Sequence, residues 1–457
     1  MTFSKKLIAL IVALGMTFSI AFPVLAEEFE SADEDVIISS SDESEEEEKE
    51  EKYTGIHEVE HKGVTAWWRI VDDEVDDTFT GLAENEYGWW YLKDGKVDFD
   101  KYGLVENEYG WGRVENGQVN FYANGVYENE YGWWKCTNGQ VDFSYTGLAQ
   151  NEWGWWAIEN GRVNFDAYGI VPNEYGWWKV SGGAVDFSFD GLAQNEFGWW
   201  KFNGGAVDFS YTGLAANEYG VWFVRDGNVR FNESFTYKPW QGSFKIQNGS
   251  VKSATLLVPL VNQNPKYPTG CEAASATMLL NFYGVNVGLD EMVNAIPREN
   301  LQNIGGKLYG PDITKKFVGD PKGTYTSGTP GYGAFAPVVT SSVNNVLKTR
   351  HDSRKAYDLT GWSADDILKL VKQGTPAIVW STYNMNNPTT NNSWYIKENG
   401  GERLFSYPRG THVCVISGCD DSNVYLSDPY GAVVKKFSIS SFKSKYNLLG
   451  KQAVIIK

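Results

Sequence analysis

Between residues 53 and 235, apolar and polar positions alternate in short bursts broken by glycine. In Trp89–Phe99 (WWYLKDGKVDF) the alternation runs on both sides of Asp94-Gly95. Alternation of period two predicts half-buried strands, and an Asp-Gly pair between them predicts a two-residue hairpin turn whose central residues need positive φ. Asn116-Gly117, Asn138-Gly139, Asn160-Gly161, Gly182-Gly183, Gly204-Gly205 and Asp226-Gly227 occupy the same place in other bursts. Such a turn sets the register, placing Leu92 opposite Val97, Tyr91 opposite Asp98 and Trp90 opposite Phe99. One face of each hairpin, Trp90, Leu92, Val97 and Phe99, is expected to be core. Cys136 takes the place of Leu92 in its burst and is expected to be a small buried apolar residue.

The bursts repeat. An Asn-Glu pair recurs at Asn85, Asn107, Asn129, Asn151, Asn173, Asn195 and Asn217, a period of 22, and Trp67-Trp68 marks a degenerate earlier unit. A fixed period of this size predicts stacked supersecondary units, a solenoid-like all-β array. The face opposite the core carries Trp67, Trp89, Trp111, Trp133, Trp155, Trp177 and Trp199, beside Lys135, Lys179 and Lys201. Those lysines fall opposite Asp142, Asp186 and Asp208, where charge pairs are expected. An indole on a polar face is either covered by the next hairpin or offered to a sugar ring or cationic head group, and the two are compatible. The Gly-Trp-Trp and turn-glycine spacing resembles the cell-wall-binding repeats of Gram-positive surface proteins, of which choline-binding repeats are the best known. That resemblance implies a cell-wall glycan or teichoic-acid-like polymer as partner; the candidate ligand-binding residues, Trp89, Trp111, Trp133, Trp155, Trp177 and Trp199, come from the indole row itself.

After a polar stretch at 236–252, read as a connector, the repeats stop and α/β patterning begins. Cys271, Ala274, Ser275, Met278, Leu279 and Phe282 share one face of a helix ending near Gly284. Cys271 thus opens a helix, where the dipole favours a thiolate. Downstream, THVCVISG and VYLSDPYG predict a hairpin joined by a short turn at Asp420–Asn423. His412 near the start of one strand and Asp428 near the end of the other become neighbours, a carboxylate that orients an imidazole able to take the Cys271 proton. Gln263, after the apolar strand TLLVPLV, is a candidate oxyanion donor together with the Cys271 N–H. A zinc site built from His412, Cys414 and Cys271 lacks the tight paired spacings such sites show, so no metal is expected.

The run VPLVNQNPKYPTGCEAASATMLLNFYGV, with HVCVISGCDDSNVYLSDPYG downstream, resembles the C39-like cysteine peptidases, the bacteriocin-processing group of papain-like fold. The resemblance implies an α+β papain-like domain, with Cys271 as nucleophile, His412 as general base, Asp428 as its orienting partner and Gln263 as oxyanion donor. It also implies a strand like Pro376–Trp380 beside the groove, after a helix such as Ser363–Gln373. No transporter-like segments accompany the domain, so cleavage of double-glycine leaders during export is not implied. The Gly/Pro/Thr-rich stretch Gly305–Pro337 is long for a loop and either covers the cleft or is a structural excursion.

Composition sets the surroundings. The chain has 457 residues, 19 of them Trp, and a net charge of −18 with no basic stripe, which argues against nucleic acid as partner. Residues 27–52 hold 14 Asp or Glu against Lys49 and Lys52, a self-repelling stretch expected to be a disordered spacer. Lys5-Lys6, the apolar run from Leu7 and Val24-Leu25-Ala26 predict a signal peptide over 1–26, so the mature protein is expected to be secreted and extracellular or wall-associated, with no membrane span. The expected order is signal peptide (1–26), spacer (27–52), repeat array (53–235), connector (236–252) and C39-like peptidase domain (253–457). The function expected is a surface-associated cysteine peptidase acting on a peptide or protein substrate without a cofactor. Two alternatives stand beside it: a peptidoglycan-peptide hydrolase, and a non-catalytic wall-binding or adhesion protein.

Overall fold

Each 22-residue unit folds as three strands, not two. The computed structural model describes residues 52–388, 391–398 and 400–457. The expected signal peptide and the acidic spacer up to residue 51 lie outside the described residues. In one unit Gly125–Asn129 pairs with Gly132–Thr137, which pairs in turn with Gln140–Val141. Twenty-seven strands from Gly55 to Leu256 fall into nine such groups. Asn138 and Gly139 have φ of 48° and 78°, the double positive φ that the turn requires. A Cβ on Gly139 would also lie 2.3 Å from the Asn120 carbonyl oxygen, so the previous unit leaves room for glycine alone.

The register Leu92–Val97 is as the turn predicts, but the strand stops there. Asp98 Oδ1 accepts the Asp100 N–H at 3.1 Å and turns the chain away. Trp90 therefore pairs with Gln118 of the next unit, not with Phe99. Phe99 leaves the core: it is 50% exposed, its ring edge-on to Trp90 at 5.7 Å. Each core is instead shared between consecutive units, as where Ile56 of one packs on Leu92 and Val97 of the next. Cys136 is fully buried in that setting, and burial pushes its thiol up to about 12.

The expected lysine–aspartate partners lie opposite and attract each other, but their closest side-chain contacts go elsewhere. Asp142, Asp186 and Asp208 each accept the hydroxyl of the serine two residues on, at 2.6 Å. Lys135, Lys179 and Lys201 lie over the rings of Tyr145, Phe189 and Tyr211 at 5.3, 5.8 and 5.5 Å.

The stretch 236–252 is not a connector. It falls within a ninth unit, Phe235–Tyr237, Gly242–Gln247 and Ser250–Leu256, whose strand joins the preceding unit through Trp222–Ser250. Its last strand also pairs with the C-terminal domain, Ala254 with Cys419 and Thr255 with Gly418. The apolar stretch read as the strand TLLVPLV leaves β structure at Leu256. Array and C-terminal domain thus share one sheet, and Lys369 of the second donates to the Asn217 carbonyl of the first.

In the C-terminal domain Thr411–Cys419, buried throughout, is the central strand. It pairs with Ala377–Thr382 on one edge and Asn423–Asp428 on the other, and the sheet continues through Val433–Ser438, Ala453–Ile456 and Ala356–Asp358. Five α-helices accompany it among the described residues: α1 (Cys271–Phe282), α2 (Leu289–Ala295), α3 (Ala336–Thr349), α4 (Ala364–Lys372) and α5 (Ile439–Leu448). The α4 helix starts where Ser363 accepts the Asp366 N–H, and it precedes the strand expected beside the groove. A separate four-stranded sheet, Gln302–Ile304, Lys307–Tyr309, Asn391–Glu398 and Gly401–Pro408, leads directly into the central strand. No helix among the described residues is long and apolar enough to cross a membrane.

Phe244 of the ninth unit is 1% exposed and belongs to the same apolar cluster as Leu279 of α1 and Val415 of the central strand. Phe244→Ala should therefore destabilise the C-terminal domain by about 3–5 kcal/mol, whereas Phe202→Ala, equally buried within the array, should leave that domain's transition in place. Denaturant unfolding followed by hydrogen exchange in α1 and the central strand checks both.

Candidate active site

The α1 helix lies across the central strand, with Ser275 Oγ donating to the Val413 carbonyl at 3.1 Å. This docking brings the Cys271 end of the helix beside His412. Cys271, Gln263 and His412 line one cavity of about 310 Å³, together with Tyr325, Tyr332, Tyr383 and Tyr430. Two of those tyrosines, Tyr325 and Tyr332, come from the Gly305–Pro337 stretch, which therefore forms a wall of the cavity.

Hairpin pairing of Thr411–Cys419 with Asn423–Asp428 sets His412 Nε2 and Asp428 Oδ1 2.6 Å apart, with both residues buried. Asp428 is saturated with donors: Oδ1 also accepts the Tyr430 N–H at 2.8 Å, and Oδ2 meets Lys435 Nζ at 2.7 Å. Burial works against its charge, but the bonds from His412 and Lys435 hold the carboxyl below its usual range. With Nε2 committed to Asp428, Nδ1 is the ring nitrogen left for proton exchange. Tyr383 packs edge-on to the imidazole at 5.5 Å and to Tyr430 at 5.4 Å, shielding the pair.

The surroundings of Cys271 work against the thiolate its helix position suggests. Burial pushes the thiol well up, and the neighbouring Glu272 pushes it further, while the Val413 N–H works the other way. Cys271 Sγ donates to Glu272 Oε2 at 3.4 Å, and Glu272 Oε1 accepts the Ala334 N–H at 2.9 Å. Glu272 is itself buried, which raises its carboxyl to about 7. The helix dipole is a smaller effect than the loss of water around sulfur.

Gln263 reaches the cavity wall with its amide nitrogen engaged, donating to Pro268 O at 2.8 Å and to Tyr267 O at 3.3 Å. An oxyanion would have to draw one N–H from the longer of these bonds. His412, Cys414 and Asp428 each bring a potential ligand atom within 4.8 Å of the others, but the Lys435 ammonium on Asp428 opposes a cation there.

Glu272, Lys435, Tyr383 and the cavity tyrosines are absent from the sequence-based site. Lys435 had a signal: Leu426 pairs with Lys435 in the strand after Asp428, which puts Lys435 on the face that carries Asp428. Tyr383 and Tyr325 carried none, because their loops have no periodicity.

In the array, the expected tryptophans are half-buried between units. Trp111 meets Tyr131, Trp134 and Phe143 of the next unit at 5.7, 4.9 and 6.0 Å. Trp177 repeats this with Phe197, Trp200 and Phe209 at 6.0, 4.9 and 5.7 Å. Trp133 packs on Trp156 at 4.8 Å and lines a cavity of about 410 Å³ with Trp153, Glu128 and Glu152. Trp89, Trp155 and Trp199 each face the tyrosine of the following Asn-Glu-Tyr, at 5.9, 6.0 and 5.9 Å. The recurrent asparagine holds this notch in shape: Asn129 Oδ1 accepts the Tyr131 N–H at 3.0 Å and Trp134 Nε1–H at 2.9 Å. The exposed aromatic after each Asn-Glu, such as Tyr131, went unread in the sequence although its position recurs as regularly as the asparagine.

The Peptidase_C39 like family matches residues 255–454, and the Choline-binding repeat family matches 78–98, 101–120, 144–164 and 210–229. A Bacillus subtilis (strain 168) protein, YvpB, described as uncharacterized, is 30% identical over 215 residues, 47% of this chain and 80% of YvpB. The chain belongs to the C39-like peptidase family. The crystal structure of a protein described as a C39-like peptidase from Bacillus anthracis aligns at 26% identity, covering 45% of this chain and 97% of its own, with a TM-score of 0.39. CbpJ from Streptococcus pneumoniae aligns at 15% identity over 41% of this chain and 62% of its own, with a TM-score of 0.21.

Within the C39-like domain, the carboxyl beside the sulfur makes a testable difference. Glu272→Gln keeps an acceptor for the Ala334 N–H and removes the negative charge that disfavours the thiolate. Iodoacetamide labelling of Cys271 should then begin at lower pH than in the parent protein. An unchanged profile would show that burial alone sets the thiol.

Proposed function

We propose that this chain is a secreted cysteine peptidase held at a cell surface by its repeats, with Cys271, His412 and Asp428 as its triad. The observation that carries the reading is the convergence of Cys271, Gln263 and His412 on one cavity, with His412 bonded to Asp428 behind it. The apolar run behind Lys5-Lys6 supports export.

At rest the sulfur is a thiol. As substrate displaces water, His412 Nδ1 takes the thiol proton and Sγ attacks the scissile carbonyl, while Asp428 stabilises the imidazolium. The oxyanion accepts from the Cys271 N–H, which has no partner within its helix because it is the first residue, and from one Gln263 amide N–H. The imidazolium then protonates the leaving amine. His412 next takes a proton from water, whose oxygen attacks the thioester carbonyl; Sγ leaves and recovers the proton as the acid product departs.

The notches are read as sites for quaternary ammonium groups of choline-bearing wall polymers. Trp177 gathers Phe197, Trp200 and Phe209 around its ring, and such aromatic clusters are what cation–π attraction uses.

Two experiments test the two halves. Against a peptide library or surface proteins, Cys271→Ser and His412→Ala should each lower kcat/KM on the order of 10³-fold or more. Hydrolysis indifferent to Cys271→Ser would end the peptidase reading. On a choline-derivatised matrix the full chain should be retained and released by free choline, with Trp177→Ala weakening retention. Retention unaffected by free choline would end the reading of the repeats.

A further inference from the structure

Behind the His412–Asp428 pair sits a lysine that the mechanism does not require. Lys435 Nζ lies 2.7 Å from Asp428 Oδ2, the oxygen not used by His412. It is clamped on two further sides: Asn384 Oδ1 accepts from it at 2.9 Å, and the Tyr383 ring lies 4.5 Å below it. The clamp comes from a strained turn, since Asn384 and Met385 have φ of 51° and 57°. The same Tyr383 packs against the imidazole, so one turn holds both the base and the cation behind its carboxylate.

We propose that Lys435 is a positioning residue of this site: it fixes the orientation of Asp428 and offsets part of the carboxylate's charge, so that His412 stays aligned without being locked as imidazolium before substrate arrives. The inference rests on the reading of His412 as the base.

The physical argument is one of charge. A buried aspartate bonded to histidine favours the imidazolium, and an imidazolium cannot accept the thiol proton. A thiol disfavoured as thiolate by burial and by Glu272 needs a neutral imidazole as acceptor. The ionisable groups around the pair are Cys271 and Glu272 from α1, Tyr325 and Tyr332 from the 305–337 wall, Cys414 from the central strand, Tyr383 from the turn, Tyr430 after Asp428 and Lys435 from the next strand. Among them Lys435 is the cation that touches the carboxylate.

The chain has four histidines, His57, His61, His351 and His412, so their ring carbons can be followed separately by NMR in the labelled full chain. In Lys435→Gln, or Lys435→Met should the first variant not fold, the His412 titration midpoint should move up by about a pH unit. Lys435→Arg should restore it, and unmoved signals from the other three histidines would report an intact fold. In an Asp428→Asn background the Lys435→Gln shift should shrink. No upward movement, an equal movement in Lys435→Arg, or an undiminished shift without the Asp428 charge would each overturn the proposal. The reading beneath it fails separately. If iodoacetamide labelling of Cys271 does not respond to His412→Ala, His412 is not the base, whatever Lys435 does to its titration.

Discussion

The central strand Thr411–Cys419 is buried along its whole length, and buried peptide groups need partners on both edges. Ala377–Thr382 serves one edge as far as Ile416, and Ala254–Thr255 pairs with the strand beyond that point, at Gly418 and Cys419. The sheet that carries His412 thus draws a strand from the last hairpin of the array. The other edge is closed by Asn423–Asp428, and that closure brings His412 and Asp428 together. The candidate site is therefore a consequence of how one buried strand satisfies its hydrogen bonds.

Charge at the site is arranged in opposition. Asp428 collects three donors and stays ionised, while Glu272 and Cys271, buried side by side, resist ionisation. The two halves are separate environments: one polar and cross-bonded between strands, the other at the start of a helix packed into the core. Groups whose environments push their ionisation apart are the arrangement acid–base chemistry uses. In this site burial and the neighbouring Glu272 both work to keep the proton on sulfur.

Much of this was legible in residues and spacing, and the failures have physical causes. A two-residue turn admits one register, so Leu92 opposite Val97 followed from Asp94-Gly95 alone. Phe99 departs from the expected core because the Asp98 turn ends the strand, and the next unit takes the free edge of Trp90. The ninth unit looks like a connector in sequence because the Asn-Glu and Trp-Trp markers are missing at their periodic positions. Its Asn248-Gly249 nevertheless falls 22 residues after Asp226-Gly227, the period every other turn keeps. His412 and Asp428 were readable because a hairpin ties distant positions by arithmetic. The thiol state of Cys271 was not, since it depends on water excluded by elements far away in the chain. Nor was the Gln263 amide, whose bonds are set by a local loop.

The shared strand also decides what kind of attachment the array provides. A Gly/Ser-rich tether lets a domain sample a sphere whose radius grows with the square root of its length. Here Ser250–Leu256 is hydrogen-bonded to both parts, and Phe244 and Val251 lie in the same apolar cluster as α1. A hinge at this point would break ladder hydrogen bonds and expose core. If the notches hold a wall polymer, the cavity at Cys271 is carried at a fixed offset from that polymer, with an orientation set by the sheet. Substrate selection then has a geometric component: a scissile bond must reach the cleft at the height the array sets, and side-chain preference acts only on what arrives there.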